Sequence, residues 1–498
     1  MSELPKGWAQ VTLSDVATWS SGGTPSRSNP EFYNGSIPWL KTGELGPRML
    51  FSSEEHISEA AIAGSSAKLF PKGSVALAMY GATIGKASIL GIDATTNQAC
   101  AVGIPKAVTT EFLYYYLISQ TQGFVDAGKG GAQPNISQGI VREWPICLAP
   151  LQEQNRIVAK LEELLSDLDA GVAELKAAQA KLGQYRQSLL KAAVDGSLTA
   201  EWRKTHKSKE SGAQLLERIL AERRKRWEAK QLAKFQEQGK TPPKGWQNHY
   251  PNPVRPDTAS LPELPEGWVW ATLSQVGWLD RGRSKYRPRN APHLYGGPYS
   301  FVQTGDIRHA DTFLFDVEAT YSEAGLAQSR LWPAGTMCIT IAANIGKTAI
   351  LSMKACFPDS VVGFLPTSEE VSVRYVEYFM RSVQQRLEDD APATAQKNIN
   401  LEILEKVVIP VPPIKEQLQI LKVLSDSMDS ARETDSTIDI SLKQATAQRK
   451  NILKAAFSGQ LAPQDPNDEP ASVLLERIRA ERAAQGAKGV KRGRKAKA

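Results

Sequence analysis

Long apolar runs, paired cysteines, clustered histidines and catalytic motifs are all missing from this chain of 498 residues. No stretch approaches the ~18–20 consecutive apolar residues that a membrane span needs, and the first residues lack the basic-then-apolar pattern of a secretory signal. A cytoplasmic protein without membrane contact is therefore expected. The four cysteines, Cys100, Cys147, Cys338 and Cys356, sit in unrelated contexts. They read as reduced core thiols, neither a disulfide frame nor a zinc site. Only five histidines are present, none near a cysteine, so no metal site is expected. Motifs for amino-methylation (Asn-Pro-Pro-aromatic or Asp-Pro-Pro-Tyr), a glycine-rich cofactor fingerprint, paired acid–lysine nuclease spacing and a Ser/His/Asp arrangement are absent too. On its own the chain is expected to catalyse nothing. Its net charge of +7 permits a polyanionic partner.

What is present is a duplication. Leu4-Pro5-Lys6-Gly7-Trp8 answers to Leu264-Pro265-Glu266-Gly267-Trp268, a shift of 260. Pro150-Leu151-Gln152-Glu153-Gln154 answers to Pro413-Ile414-Lys415-Glu416-Gln417, a shift of 263. Between them the shift drifts only from 260 to 263, so a whole unit is repeated. Each unit is a globular module followed by a long helix that opens on proline and closes on glycine. Short β-branched runs such as Ser74 to Met79 and Thr336 to Ala342 read as strands, and Glu111 to Gln120 and Val373 to Val383 as helices. This predicts an α+β module with a small, irregular sheet.

The two long segments share an apolar stripe. In the first, Leu161, Leu165, Leu168, Leu175 and Leu182 lie in one seam with Gln179 and Arg186; in the second, Leu424, Met428, Ile438, Leu442 and Ile452 do so with Asp435 and Arg449. Such a seam needs a partner helix, and each copy is the other's obvious partner. About 40 helical residues span roughly 60 Å. The expected fold class is α+β: two pseudo-repeated modules joined by two long coiled-coil helices. The boundaries are 1–149 and 263–412 for the modules, 150–198 and 413–461 for the helices. Residues 199–262 form a charged helix and Pro-rich linker, and 462–498 a C-terminal helix and basic tail.

Three stretches stand out as contact candidates. The first is the turn from Tyr80 to Lys86, with Thr83 and Lys86, and its copy from Ala342 to Thr348, with Asn344 and Lys347. A phosphate loop needs four residues between its glycines, whereas Gly81 and Gly85 have three and Ile341 stands where the second copy needs a leading glycine. A glycine turn with a lysine still suits close approach to a DNA backbone. The second is Gly128 to Ser137 and its copy Ala393 to Asn400, holding Gln133, Asn135, Gln396, Lys397 and Asn398. Gln and Asn bond adenine bidentately in a major groove, but capping of the following helices is the stronger reading for Asn135 and Asn398. The third is the basic run Arg281, Arg283, Lys285, Arg287 and Arg289, which lines one face if extended; a solvated loop is its bland alternative. The first module has Ser20 to Pro30 there, with Arg27 alone. The frames match while the candidate reading loops differ.

The two module-opening motifs, the two helix-opening motifs, Glu201-Trp202-Arg203 and the stretch from Leu474 to Arg482 together resemble the specificity subunit of type I restriction–modification systems. The resemblance covers nearly the whole chain. It implies two target-recognition domains that each read half of a split double-stranded DNA sequence. It implies that the two long coiled-coil helices lie antiparallel, set the spacer and dock two methyltransferase subunits, which nuclease–translocase subunits then join. S-adenosylmethionine for adenine methylation, and ATP and Mg²⁺ for cleavage, would be bound by those partners and none by this chain. The residues from Ala200 to Ser260 depart from a minimal two-unit plan and are expected to add docking surface. A protein-binding coiled-coil scaffold without DNA specificity and an enzyme with an unrecognised site are the alternatives; a salt-dependent, sequence-selective DNA shift separates the first reading from both.

Overall fold

The computed structural model describes residues 4–128, 134–286, 288–342, 344–389 and 398–480. It divides into two compact units, one made of residues 1–177 and 438–498, the other of residues 178–437. Each unit therefore holds one module, the first part of the helix that follows it and the last part of the other long helix.

In the first unit, Ala9–Thr12 pairs antiparallel with Pro145–Leu148, tying the two ends of the module together. A five-stranded sheet follows in the order Ala17–Ser21, Cys100–Pro105, Val75–Ala78, Ala87–Leu90 and Met49–Leu50. A second sheet of three strands has Ile37–Leu40 between Glu55–Ile57 and Thr95–Thr96. The central strand Val75–Ala78 is buried along its whole length, as a run without polar alternation requires. Helix Thr110–Ser119 packs over the sheet, its first turn closed by the Thr109 hydroxyl accepting from Phe112 N at 3.3 Å. The second unit repeats this plan strand for strand. Val269–Thr272 pairs with Val408–Val411, and the five-stranded order is Gly277–Arg281, Val361–Pro366, Met337–Thr340, Thr348–Leu351, Phe313–Leu314. The expected single small sheet is thus two sheets and a ribbon in each module.

The long helices run Leu151–Asp195 and Ile414–Phe457. Each is clasped to its own module at its start. The Trp8 indole N–H donates to the Glu153 carboxylate at 3.0 Å, and the Trp268 indole to Glu416 at 2.9 Å. The adjoining Gln154 donates to Ala149 O at 2.9 Å and accepts from Thr109 N at 3.0 Å. Helix exits lock differently. Gly196 and Gly459 follow the two helices with φ of 78° and 73°, a backbone region that favours glycine. A Cβ on Gly196 would lie 2.5 Å from Pro265, and one on Gly459 2.4 Å from Pro5. The proline of each module-opening motif thus rests on a helix exit.

Past each exit the chain packs on the module of the same unit in the same way: Gly212 N donates to Gly267 O at 2.6 Å, and Ala471 N to Gly7 O at 2.9 Å. Leu215, Leu216 and Ile219 join the core around Trp268, as Ala471 and Leu475 join that around Trp8. The charged helix is Gly212–Glu237. The Pro-rich stretch behind it is not a loose linker. Arg223 of that helix lies 3.7 Å from the Trp278 ring and donates to the Tyr250 hydroxyl at 2.6 Å and to Pro251 O at 3.0 Å.

Within each unit the two helical segments run antiparallel. In the second unit Gln179 donates to Asp435 at 3.1 Å, and Arg186 donates to Asp435 at 3.0 Å and to Ala431 O at 3.0 Å. In the first, Arg449 pairs with Asp169. Leu161, Leu165, Leu424 and Ile438 are buried, whereas Leu168, Leu175, Leu182, Met428, Leu442 and Ile452 are half-buried. Leu161, Leu165 and Leu424 are buried where a module core adds a third layer to the helix pair, whereas Ile438 is buried outside the module cores. The polar members Gln179, Arg186 and Asp435 bond one another and so pin the register. The hydrogen bond from Gln179 and the Arg186 charge hold the Asp435 carboxyl below its ordinary range. A depressed carboxylate pKa adds stability above the unfolded value, ~3.9, and loses it as pH falls through the folded value. Asp435→Ala is expected to cost about 1–2 kcal/mol at pH 7, measured by denaturant unfolding, and the difference from wild type should shrink below pH ~4. A cost independent of pH would contradict this role.

Candidate nucleic-acid interface

In the first module the strand Val75–Ala78 runs through Met79 and Tyr80 into a tight turn, Gly81–Thr83, and returns as Ala87–Leu90. The Thr83 hydroxyl donates to Tyr80 O at 2.8 Å, closing the turn. Gly85, at φ 82°, lets Thr121 approach so closely that a Cβ would meet it at 2.8 Å. Chain arriving from Pro134 lies beside this turn: Gly81 N donates to Pro134 O at 2.9 Å, Tyr80 bridges Asn135, and Ile136 N donates to Met79 O at 2.9 Å. Buried Ile84 and Ile136 anchor the two segments. Lys86 and Asn135 are left exposed beside Thr83.

The second module builds the same junction. Ala342 bridges Asn398, and Ile399 N donates to Ile341 O at 3.0 Å. The Thr340 hydroxyl bonds the Asn344 carbonyl and accepts from Lys347 N at 3.1 Å. Asn344 and Lys347 are half-buried, and Asn398 is exposed. The structure therefore brings Thr83, Lys86 and Asn135 together in one module and Asn344, Lys347 and Asn398 in the other. Gln133, Gln396 and Lys397 lie outside the described residues. Both turns lead into strands, not into the helix on which a phosphate loop depends.

Helix capping does not fall to Asn135 and Asn398. The caps are Ser137, accepting from Ile140 N at 3.2 Å, and Asn400, accepting from Ile403 N at 2.9 Å. An N-cap must sit directly before the first helical residue, and each asparagine is two residues too early. Tyr80 is a candidate that the sequence reading passed over. It is 44% exposed, and an aromatic ring beside an exposed asparagine suits stacking on a base. Its counterpart is Ala342, so the repeat carried no signal for it.

The basic run divides in two. Arg281 ends its strand and donates twice to Asp359 O, at 3.0 and 2.7 Å, while Arg289 pairs with the Asp359 carboxylate at 2.8 Å. Gly282 and Ser284 are buried; Arg283 and Lys285 between and after them are exposed and make no ion pair with another described residue. Arg287 lies outside the described residues. In the first module Arg27 is held over the Tyr33 ring at 4.3 Å and paired with Glu55 at 2.7 Å. The Lys41 hydrogen bond, helped by Arg27, keeps the Glu55 carboxyl below its usual range. Arg283→Ala or Lys285→Ala should reduce the salt slope of DNA binding by about one ion. Arg281→Ala should lower the unfolding temperature and leave that slope unchanged. Three equal effects on the slope would contradict this division.

All four cysteines are free. Burial pushes the Cys100 thiol up to about 12 and the other three upward as well, which suits inert packing and not nucleophilic chemistry. No group of residues suited to hold a metal ion occurs among the described residues. No described helix is long and apolar enough to cross a membrane.

The comparisons with known proteins point one way. The type I restriction modification DNA specificity domain matches twice, over residues 5–176 and 265–444, once per module. The specificity subunit of the type I restriction enzyme EcoDI of Escherichia coli is 24% identical, covering 98% of each chain. That of EcoKI from Escherichia coli K12 is 22% identical, again over 98% of each. One solved chain, described as "structural basis underlying complex assembly and conformational transition of the type I R-M system", superposes with a TM-score of 0.67 at 18% identity, covering 92% of this chain and all of that one. The twofold match spans well over half of the sequence and coincides with the two modules and the start of each long helix. The chain belongs to the family of type I restriction–modification DNA specificity subunits.

Proposed function

We propose that this chain reads a bipartite double-stranded DNA target, one half per module, and directs adenine methylation and ATP-dependent cleavage carried out by partner subunits. As a specificity subunit it is the non-catalytic, DNA-recognising member of a multi-subunit complex. The finer assignment is two methyltransferase subunits, with nuclease–translocase subunits joining them. S-adenosylmethionine, ATP and Mg²⁺ belong on those partners and no cofactor on this chain. The setting is cytoplasmic.

One observation carries the reading. The same junction of strand, tight turn and returning chain is built in both modules with the same lysine and asparagine, Lys86 and Asn135 against Lys347 and Asn398, yet the turn itself differs: Tyr80 and Thr83 stand where the second module has Ala342 and Asn344. Equal frames with unequal tips fit two readers of unlike half-sequences, because phosphate contacts fix register while base-edge contacts specify sequence. A protein-binding scaffold without DNA specificity is disfavoured by the twofold match to a DNA specificity domain.

In this reading the long helices set the spacer between the half-sequences. Four residues inserted between Gln179 and Ala180 lengthen one helix by about 6 Å, against ~3.4 Å per base pair. The added residues turn the helix by about 400°, leaving ~40°, so the seam is strained but not erased. Methylome sequencing of cells carrying the altered chain and its methyltransferase should show a spacer one or two base pairs longer and unchanged half-sequences. An unchanged spacer, or a new half-sequence, would refute the ruler.

A further inference from the structure

From Arg223 to Arg255 the chain carries nine cations against two carboxylates, Glu228 and Glu237. That surplus of seven equals the net charge of the whole protein, +7. Some of these cations are engaged. Arg223 covers the Trp278 ring and bonds Tyr250, Arg224 pairs with Glu228, and Arg226 pairs with Glu222, which Lys225 also neighbours. Lys230, Lys234, Lys240, Lys244 and Arg255 are exposed and make no ion pair with another described residue.

Four aromatic rings stand among these cations, and none of them is fully buried. Trp227 and Trp246 lie nearly parallel with centroids 5.7 Å apart. Phe235 meets Trp246 edge-on at 6.0 Å, and Tyr250 meets Trp227 edge-on at 5.5 Å. Closing the Pro-rich return onto the helix accounts for these contacts. It does not account for the groove of about 410 Å³ left between Trp227, Phe235, Pro243, Trp246, His249 and Pro251. Nor does it account for the lysines at its rim. Lys230 and Lys234 share the helix face of Trp227, three and seven residues further on, and Lys244 follows Pro243 of the groove wall.

We propose that this insert binds a single strand of nucleic acid, separately from the duplex-reading turns of the modules. Bases stack in the aromatic groove, and phosphates run along Lys230, Lys234 and Lys244. Duplex DNA offers phosphates but keeps its base faces stacked inside, so it has a use for the lysines and none for the rings. An acidic peptide matches the charge but offers no row of flat faces. An unpaired strand matches both, base against ring and phosphate against cation. The place suits such a contact. Trp278 lies near the start of strand Gly277–Arg281, and three residues on, ~10 Å along it, Arg281 leads into the loop that exposes Arg283 and Lys285. One short strand thus carries the insert at one end and the basic loop at the other.

The test measures, by fluorescence anisotropy over a salt series, binding of a labelled strand of about 16 thymidines to the full chain. A duplex of the same length is the comparison. Lys230→Ala with Lys234→Ala alters two exposed side chains and leaves the fold intact; Trp246→Ala removes a ring, and Trp246→Phe keeps one. The lysine pair should lower the salt slope for the single strand by about 1.4, at ~0.7 per phosphate contact. Trp246→Ala should weaken binding of that strand about 5–100-fold, as loss of one stacking ring does, and Trp246→Phe should restore most of it. Duplex binding should stay at the wild-type level in all three. A wild-type chain that does not bind the single strand would overturn the proposal, as would variants that bind it unchanged. Equal weakening of duplex and single strand would overturn it too, making the insert a duplex contact. So would displacement of the strand by polyglutamate as readily as by unlabelled strand, which would leave an acidic protein as the occupant.

Discussion

The indole–carboxylate clasp between a module and the start of its helix is the constraint on which each unit depends. Trp8 and Glu153 lie 145 residues apart in sequence, Trp268 and Glu416 148 apart, yet each pair meets at hydrogen-bond distance in a buried setting. A buried carboxylate is tolerated only with donors around it. At Glu416 these are the Trp268 indole, the Thr199 hydroxyl at 2.7 Å and the Arg203 guanidinium at 2.7 Å. At Glu153 burial raises the carboxyl above its ordinary range, with the Trp8 N–H drawing it back. Thr199 and Arg203 come from the chain just past the first long helix. Module opening, helix opening and helix exit are thus held at one polar junction.

That junction explains why the opening motifs recur while the modules between them diverge. Leu-Pro-x-Gly-Trp supplies a proline against a glycine exit, a glycine whose carbonyl receives the next segment, and a tryptophan for the clasp. Each residue has a neighbour that it cannot lose. The turn tips at Thr83 and Asn344 differ because each turn is closed by its own hydroxyl bond, from Thr83 in one module and from Thr340 in the other. The long helices are likewise constrained only in patches. Apolar burial is firm near the modules, and midway the register falls to Gln179, Arg186 and Asp435, a polar cluster that fixes alignment more than it adds stability.

Much of this plan was legible in the sequence because duplication marks every residue that both units need. The helices, the seam and the motif pairs follow from spacing alone. What stayed hidden depends on contacts across long sequence distance. Arg281 and Arg289 look like the rest of their basic run until Asp359, 78 and 70 residues away, is placed against them. The Pro-rich stretch after Gly212–Glu237 reads as a linker because nothing local announces that Arg223 will be enclosed by Tyr250 and Trp278. Asn135 and Asn398 look like caps because the composition is right; only the backbone shows that Ser137 and Asn400 stand in the capping position. Strands of two or three residues, such as Met49–Leu50 and Thr95–Thr96, leave no periodicity to read, so two sheets looked like one.

The central claim is that each module is an independent reader of one half of the target. The most direct measurement replaces residues 263–412 by the matching module of another member of the family, leaving both long helices and the first module as they are, and sequences the methylome of cells that also carry the methyltransferase. The account predicts that one half of the methylated sequence changes to the donor's, while the other half and the spacer stay the same. A change in both halves, or in neither, would contradict it.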